Sequence, residues 1–272
     1  MQIKIKELKD ISYLGEAREE KMDAYLPGGC TSDLRPAVLL IHGGGWRLSD
    51  KASAREVSIA RDLAHHGYAV FSINYLLNIG DYNEDGVFKH TRIAWPNNFF
   101  DCKSALRFVR KFAHRYQVDS SRIAVMGASA GAHLAMLLAS TSHHDAFNSQ
   151  GLYTEQSSEV SCVLNFYGDY DVRGRRVSPF QGANEAQTQE NEQAASPVTW
   201  IDDKTPPMLI AHGVLDDTVL IERSRLLVEH LRKQSLTYVY LELSEDGHGF
   251  NLHPKSMDLE MVVVQFLNKF LN

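Results

Sequence analysis

The run Ile123-Ala124-Val125-Met126-Gly127-Ala128-Ser129-Ala130-Gly131-Ala132-His133-Leu134-Ala135 decides the fold. Its first four residues are short and continuously apolar, the pattern of a strand covered on both faces. Its end continues into AHLAMLLAS (residues 132–140), which is rich in good helix formers. In the turn between them, from Gly127 to Gly131, only Ser129 carries a reactive group, and its neighbours are glycine or alanine. A strand that breaks sharply into a helix needs such neighbours, because the turn residue is strained and bulky flanks would clash. The turn also sets Ser129 at the positive end of the helix, where developing negative charge is favoured. Ser129 is therefore predicted to be a nucleophile, against the blander reading of a small-residue packing turn.

Outward from this turn, Ala37 to Ile41 and Ala69 to Ile73 are further short apolar runs, as are Val160 to Phe166, Met208 to Ala211 and Tyr238 to Leu243. Ile3 to Lys6 alternates apolar and charged residues, Met22 to Leu26 suggests a second half-exposed strand, and Pro27, Gly28 and Gly29 end it in a turn. Helical spacing joins Ala105, Phe108, Val109 and Phe112, and again Leu259, Val262, Val263, Phe266, Leu267 and Phe270. Antiparallel ribbons followed by alternating strand and helix predict one α/β domain over residues 1–272. Its core is a central, mostly parallel eight-stranded sheet, with antiparallel N-terminal strands and helices on both faces. Residues 78–96, polar and irregular around GDYNEDG, and residues 174–196, rich in Gln, Asn and Glu, read as excursions that form active-site walls or surface elaborations.

Composition narrows the function classes. A length of 272 residues suits one large domain, and a net charge of −6 gives no footprint for nucleic acid or anionic membrane. The basic cluster Arg173 to Arg176 reads as a solvated loop. Three cysteines, Cys30, Cys102 and Cys162, without a CxxC pair, predict neither a disulfide framework nor a zinc site and are assigned packing roles. No apolar run approaches the roughly 20 residues of a membrane span, and the N-terminus lacks the apolar stretch of a signal peptide. A cytoplasmic protein is expected.

His42-Gly43-Gly44-Gly45-Trp46 follows the buried strand AVLLI (residues 37–41). Consecutive glycines cost backbone entropy, and an oxyanion hole supplies a reason for them, since their N–H groups approach a developing charge unobstructed. Gly43 and Gly44, with Ala130, are the expected donors, and His42 anchors the loop. A nucleophilic serine needs a base, and the base needs a carboxylate. Of 12 histidines, His248 stands out, in the glycine-flanked loop Asp246-Gly247-His248-Gly249-Phe250 after the strand YVYLEL. His253 competes with it, while His65, His66, His114, His143 and His144 read as surface residues with no metal-site spacing. The acid is Asp216 or Asp217, in His212-Gly213-Val214-Leu215-Asp216-Asp217 after the strand MLIA. The chain order Ser129, acid, His248 is that of an α/β-hydrolase triad.

With HGGGW, the stretch WPNNFFDCKSALRFVRKFAHRYQVDSSRIAVMGASAGAHLA, then HGVLDDTV and DGHGF, the chain resembles the α/β-hydrolase esterases of the hormone-sensitive-lipase-like and carbohydrate-esterase-like groups. These include acetyl and feruloyl esterases, and the resemblance runs from about Lys21 to the C-terminus. It implies Asp216 as the acid, because the family motif HGxxDxxV uses its first aspartate. It also implies a serine carboxylesterase acting on small-molecule esters with short acyl groups, without metal or organic cofactor. Two departures bear on substrate choice. Hormone-sensitive-lipase relatives usually carry a longer N-terminal cap, so an open site is expected, and the 78–96 excursion replaces a short link. A kynurenine-formamidase-like amidase shares the machinery, and a non-catalytic binding scaffold is the reading from another class. Trp46, Trp95 and, more weakly, Phe250 are candidates for pocket wall or core packing. The last strand and C-terminal helix are a candidate homodimer edge.

Overall fold

Two strands open the chain, β1 (Ile5–Ile11) and β2 (Met22–Pro27), followed by β3 (Arg35–Ile41), α1 (Ala54–His65) and β4 (Ala69–Ile73). A hairpin, β5 (Ile79–Tyr82) and β6 (Phe88–Arg92), precedes α2 (Asn97–Lys111). Then come β7 (Val118–Ala128), α3 (Ala130–Ser140), the short α4 (Asp145–Asn148) and β8 (Val163–Phe166). The chain ends with α5 (Glu185–Ala195), β9 (Met208–Gly213), α6 (Glu222–Lys233), β10 (Tyr238–Leu243) and α7 (Glu260–Leu271). This computed structural model describes residues 4–28, 34–86, 88–175 and 177–271, so the turn residue Gly29, Cys30 and the loop residue Arg176 lie outside the described residues.

Eight strands form one sheet in the order β1-β2-β4-β3-β7-β8-β9-β10. The pairs β1/β2 and β2/β4 are antiparallel and the remaining neighbours are parallel. This is the mostly parallel sheet with antiparallel N-terminal strands that the sequence predicts. Along β3, Ala37, Leu39 and Ile41 enter the hydrophobic cluster shared with α2, α3 and α6. Val38 and Leu40 enter the opposite cluster, with α1 and α7. Both faces are covered, which is why the central strands read as continuous apolar runs rather than alternating ones. Cys102 and Cys162 are buried free thiols within this packing. Among the described residues no helix is long and apolar enough to cross a membrane.

The excursions carry more regular structure than their composition suggests. Residues 78–96 contain the β5–β6 hairpin, a two-stranded sheet separate from the main one. Residues 174–196 contain α5, capped by the Asn184 side chain, which accepts from the Gln187 N–H at 3.0 Å.

Candidate active site

The β7–α3 junction holds Ser129 at φ 54°, ψ −123°, a left-handed φ that a non-glycine residue rarely adopts. Two hydrogen bonds hold the strained residue: its N–H donates to the Phe166 carbonyl (2.9 Å) and its carbonyl accepts from the His133 N–H (3.0 Å). The flanking glycines are steric necessities. A Cβ on Gly127 would strike the Gly131 backbone, and one on Gly131 would strike the Ile41 carbonyl at the end of β3.

The Ser129 Oγ lies 2.9 Å from His248 Nε2, and His248 Nδ1 lies 2.7 Å from Asp216 Oδ2. A carboxylate can only accept, so the imidazole proton sits on Nδ1 and Nε2 is free to accept from the serine hydroxyl. Asp216 is buried and Asp217 is exposed, which separates the adjacent aspartates that the sequence alone left open. Burial pushes the Asp216 carboxyl up. Hydrogen bonds from His212, His248 and the Val219 and Thr218 amides outweigh that and hold it well below the ordinary carboxylate range. Its Oδ1 accepts from both those amides at 2.9 Å. His253 lies elsewhere, exposed and paired with Asp62.

Gly43 packs directly on Ser129: a Cβ there would stand 3.3 Å from the Ser129 Cβ and 2.9 Å from the Ala128 carbonyl oxygen. Gly44 has φ 98°, and its carbonyl accepts from the Arg47 and Leu48 amides in a turn that leaves no room for a side chain. His42 is fully buried, stacked on Tyr75 at 4.5 Å, and Tyr75 donates to the His42 carbonyl at 3.0 Å. Gly43 thus lies against the elbow, Gly44 turns back on Leu48, and Ala130 begins α3 directly after Ser129.

Trp46 and Trp95 are both buried, each edge-on to Phe180. The Trp46 indole donates to His133 Nδ1 (3.2 Å), and His133 Nε2–H donates to the Ala195 carbonyl at the end of α5 (2.7 Å). Burial, with the nearby Arg175 charge, pushes His133 down to about 3, so it is a neutral strut between the glycine loop and the second excursion. Asn78 clasps the first excursion at its root. Its backbone N–H donates to the Trp46 carbonyl (2.8 Å), its amide donates to the Pro179 carbonyl (3.0 Å), and its Oδ1 accepts from the Ala94 N–H (2.6 Å). The two excursions face each other across a polar cleft of about 730 Å³, lined among others by Lys89, His90, Arg173, Gln181 and Gln189. Arg175 lines it too, stands 5.4 Å over the Trp46 ring and is anchored on Asp169 at 2.5 Å. A smaller groove continues from Arg175 to Thr218 and Val219, whose amides hold Asp216. Phe250 is half-buried and packs on Phe166 and Tyr167.

A family model described as BD-FAE matches residues 22–231. The chain belongs to the BD-FAE family. It is similar to the esterase LipC of Mycobacterium tuberculosis, 31% identical over 229 residues that cover 80% of this chain and 53% of that protein. This BD-FAE chain thus spans about half the length of that curated relative. Among solved structures, it resembles a truncated carbohydrate esterase from gut microbiota, with a TM-score of 0.80 and 24% identity over 97% of this chain and 95% of that one. It also resembles a thermophilic esterase of Thermogutta terrifontis solved with butyrate bound, with a TM-score of 0.74 and 24% identity over 99% of this chain and 93% of that one. These likenesses show an α/β-hydrolase fold.

Several residues of this BD-FAE chain that touch the site carried no sequence signal of a role. His212, fully buried, donates from Nε2 toward Asp216 Oδ2 (3.2 Å) and the Val219 carbonyl (2.7 Å), while Nδ1 accepts from the Ser224 hydroxyl (2.7 Å). Tyr167 and Arg55 meet beside His248, although they are far apart in the chain. His143 and His144, for which no spacing suggested a metal, come together with Asp202, their donor atoms within 4.8 Å of one another. A third donor distant in sequence leaves no motif to read.

Proposed function

We propose that the chain is a serine carboxylic-ester hydrolase, taking short acyl groups from polar, sugar-like alcohols. The observation that carries this reading is the Ser129–His248–Asp216 line, at 2.9 and 2.7 Å, built on a strained turn with Gly43 against it. His248 removes the Ser129 hydroxyl proton as Oγ attacks the ester carbonyl carbon. The tetrahedral oxyanion is met by the N–H groups of Gly43, Gly44 and Ala130, and the α3 dipole favours it. His248 then gives its proton to the departing alkoxide, leaving an acyl group on Ser129. Water, deprotonated by His248, attacks that acyl carbon, and collapse returns the proton to Ser129 and frees the acid. Asp216, held ionised by its four donors, stabilises the imidazolium in both halves.

The alcohol preference rests on the walls. Their cleft is polar, and the aromatic side chains Trp46 and Trp95 are buried against Phe180 rather than lining it. Such a surface suits hydroxyl-rich groups better than a long acyl chain. The butyrate bound to the Thermogutta terrifontis esterase supports a small acyl group.

The test is hydrolysis of p-nitrophenyl esters from acetate to decanoate and of acetylated xylo-oligosaccharides, with Ser129→Ala alongside. Turnover of short esters and acetylated sugars, lost in the variant, is expected. Preference for decanoate overturns the short-acyl reading, and cleavage of formyl amides alone overturns the ester reading. An active Ser129→Ala overturns the mechanism.

A further inference from the structure

We infer that Tyr167 and Arg55 are positioning residues, forming a strut that holds the His248 loop in register with the glycine loop across the nucleophile. The inference rests on the serine-hydrolase reading above and adds two residues to it.

Tyr167 is the first residue past β8, fully buried and held at φ 43°. A left-handed tyrosine persists only where its surroundings fix it. Its N–H donates to the Ala211 carbonyl at 2.9 Å, locking its backbone to β9. Its ring meets the His248 imidazole edge-on, with centroids 4.7 Å apart. The hydroxyl is satisfied in both senses. It accepts from Arg55 Nη1 at 2.6 Å and donates to the Phe250 carbonyl at 2.8 Å. Phe250 lies two residues beyond His248, past Gly249 at φ 98°, so this bond fixes the far end of a glycine-flanked loop.

Arg55, in the first turn of α1, is paired with the buried carboxylate of Glu56. Its Nη2 lies 3.3 Å from the point a Cβ on Gly43 would occupy, so the guanidinium lies against the glycine loop. One chain of contacts therefore runs from Glu56 through Arg55 and Tyr167 to the Phe250 carbonyl. It spans the site from the glycine loop to the base. A phenylalanine would fill the same volume and keep the ring contact with His248, so a packing role alone does not require the hydroxyl. The hydroxyl's two partners are Arg55, which lies against the glycine loop, and the Phe250 carbonyl of the base loop. Those two loops must stay aligned during catalysis, where a displacement near 1 Å costs about a hundredfold in rate.

The test uses Tyr167→Phe, Arg55→Met and the double variant of the full chain, with steady-state kinetics on p-nitrophenyl acetate and a thermal melt of each. Wild-type turnover that vanishes in Ser129→Ala establishes the parent reading first, so failure of that reading is separately visible. The strut predicts that each single variant loses about tenfold or more in kcat with KM within about twofold, and that the double variant is no slower than the slower single. Independent packing roles predict multiplied losses, and multiplication overturns the inference, as does a Tyr167→Phe kcat within about twofold of wild type. Should Tyr167→Phe fail to fold, Arg55→Lys against Arg55→Met carries the test. Lysine restores a donor to the Tyr167 hydroxyl and is expected to recover at least about threefold in kcat, whereas a lysine variant as slow as methionine overturns the strut.

Discussion

The proposed catalytic line and its proposed walls are built on different principles. Ser129, Asp216 and His248 stand at the carboxyl ends of β7, β9 and β10, and each is fixed by backbone hydrogen bonds or by the next member of the line. The walls are two insertions, the β5–β6 hairpin and α5 with its flanks. They are held to the body by side chains: Asn78, Trp46, His133, Phe180 and the Arg175–Asp169 pair. On the proposed reading, chemistry is placed by the sheet, and selectivity is attached to it by a few removable contacts.

Four outcomes break or sharpen that contrast. The largest effect belongs to the line: Ser129→Ala or His248→Ala is expected to lower kcat by about 10⁴- to 10⁶-fold with melting nearly unchanged, and Asp216→Asn by about 10⁴-fold. A wall substitution with a comparable loss erases the contrast. Next comes pH. The unfolded chain protonates His133 near its ordinary 6.5, whereas the folded imidazole resists until about 3. The stability tied to keeping it neutral is therefore complete above pH 6.5 and drains away as pH falls toward 3. Urea unfolding followed by tryptophan fluorescence should show a loss of a few kcal/mol over that window, and His133→Gln should flatten it. Third, Trp46→Phe leaves His133 Nδ1 unpaired and is expected to cost about 1–3 kcal/mol in the same unfolding assay. The smallest effect lies in the cleft. Lys89→Ala with Gln189→Ala should raise KM for acetylated xylo-oligosaccharides by less than about tenfold while leaving p-nitrophenyl acetate kinetics alone. Equal changes on both substrates would detach the cleft from alcohol binding.

Legibility in the sequence follows the same division. The elbow was readable because strand, small-residue turn and helix are contiguous, and the buried strands because two covered faces leave an unbroken apolar run. The β5–β6 hairpin was not. Its strands, IGDY and FKHTR, are short and largely exposed, so no alternation marks them against loop. Asp216 was separable from Asp217 only through the family motif, since the deciding features are burial and two amides closing back on its carboxylate. His133 read as one more residue of an apolar helix. Its role depends on Trp46 and Ala195, which lie 87 positions before and 62 after it. Arg55 and Tyr167, separated by 112 positions, meet only once β8 is in the sheet.

The clasp at Asn78 has an evolutionary reading. Its side chain pins the root of the hairpin to Pro179 and Ala94 and its backbone N–H holds the Trp46 carbonyl of the glycine loop, while residues 84–86 at the tip are exposed. A lineage can therefore lengthen, shorten or rewrite residues 80–92 without disturbing Ser129, provided the asparagine stays. On the proposed reading, the hairpin is a graft point, where new substrates are tried on an unchanged engine.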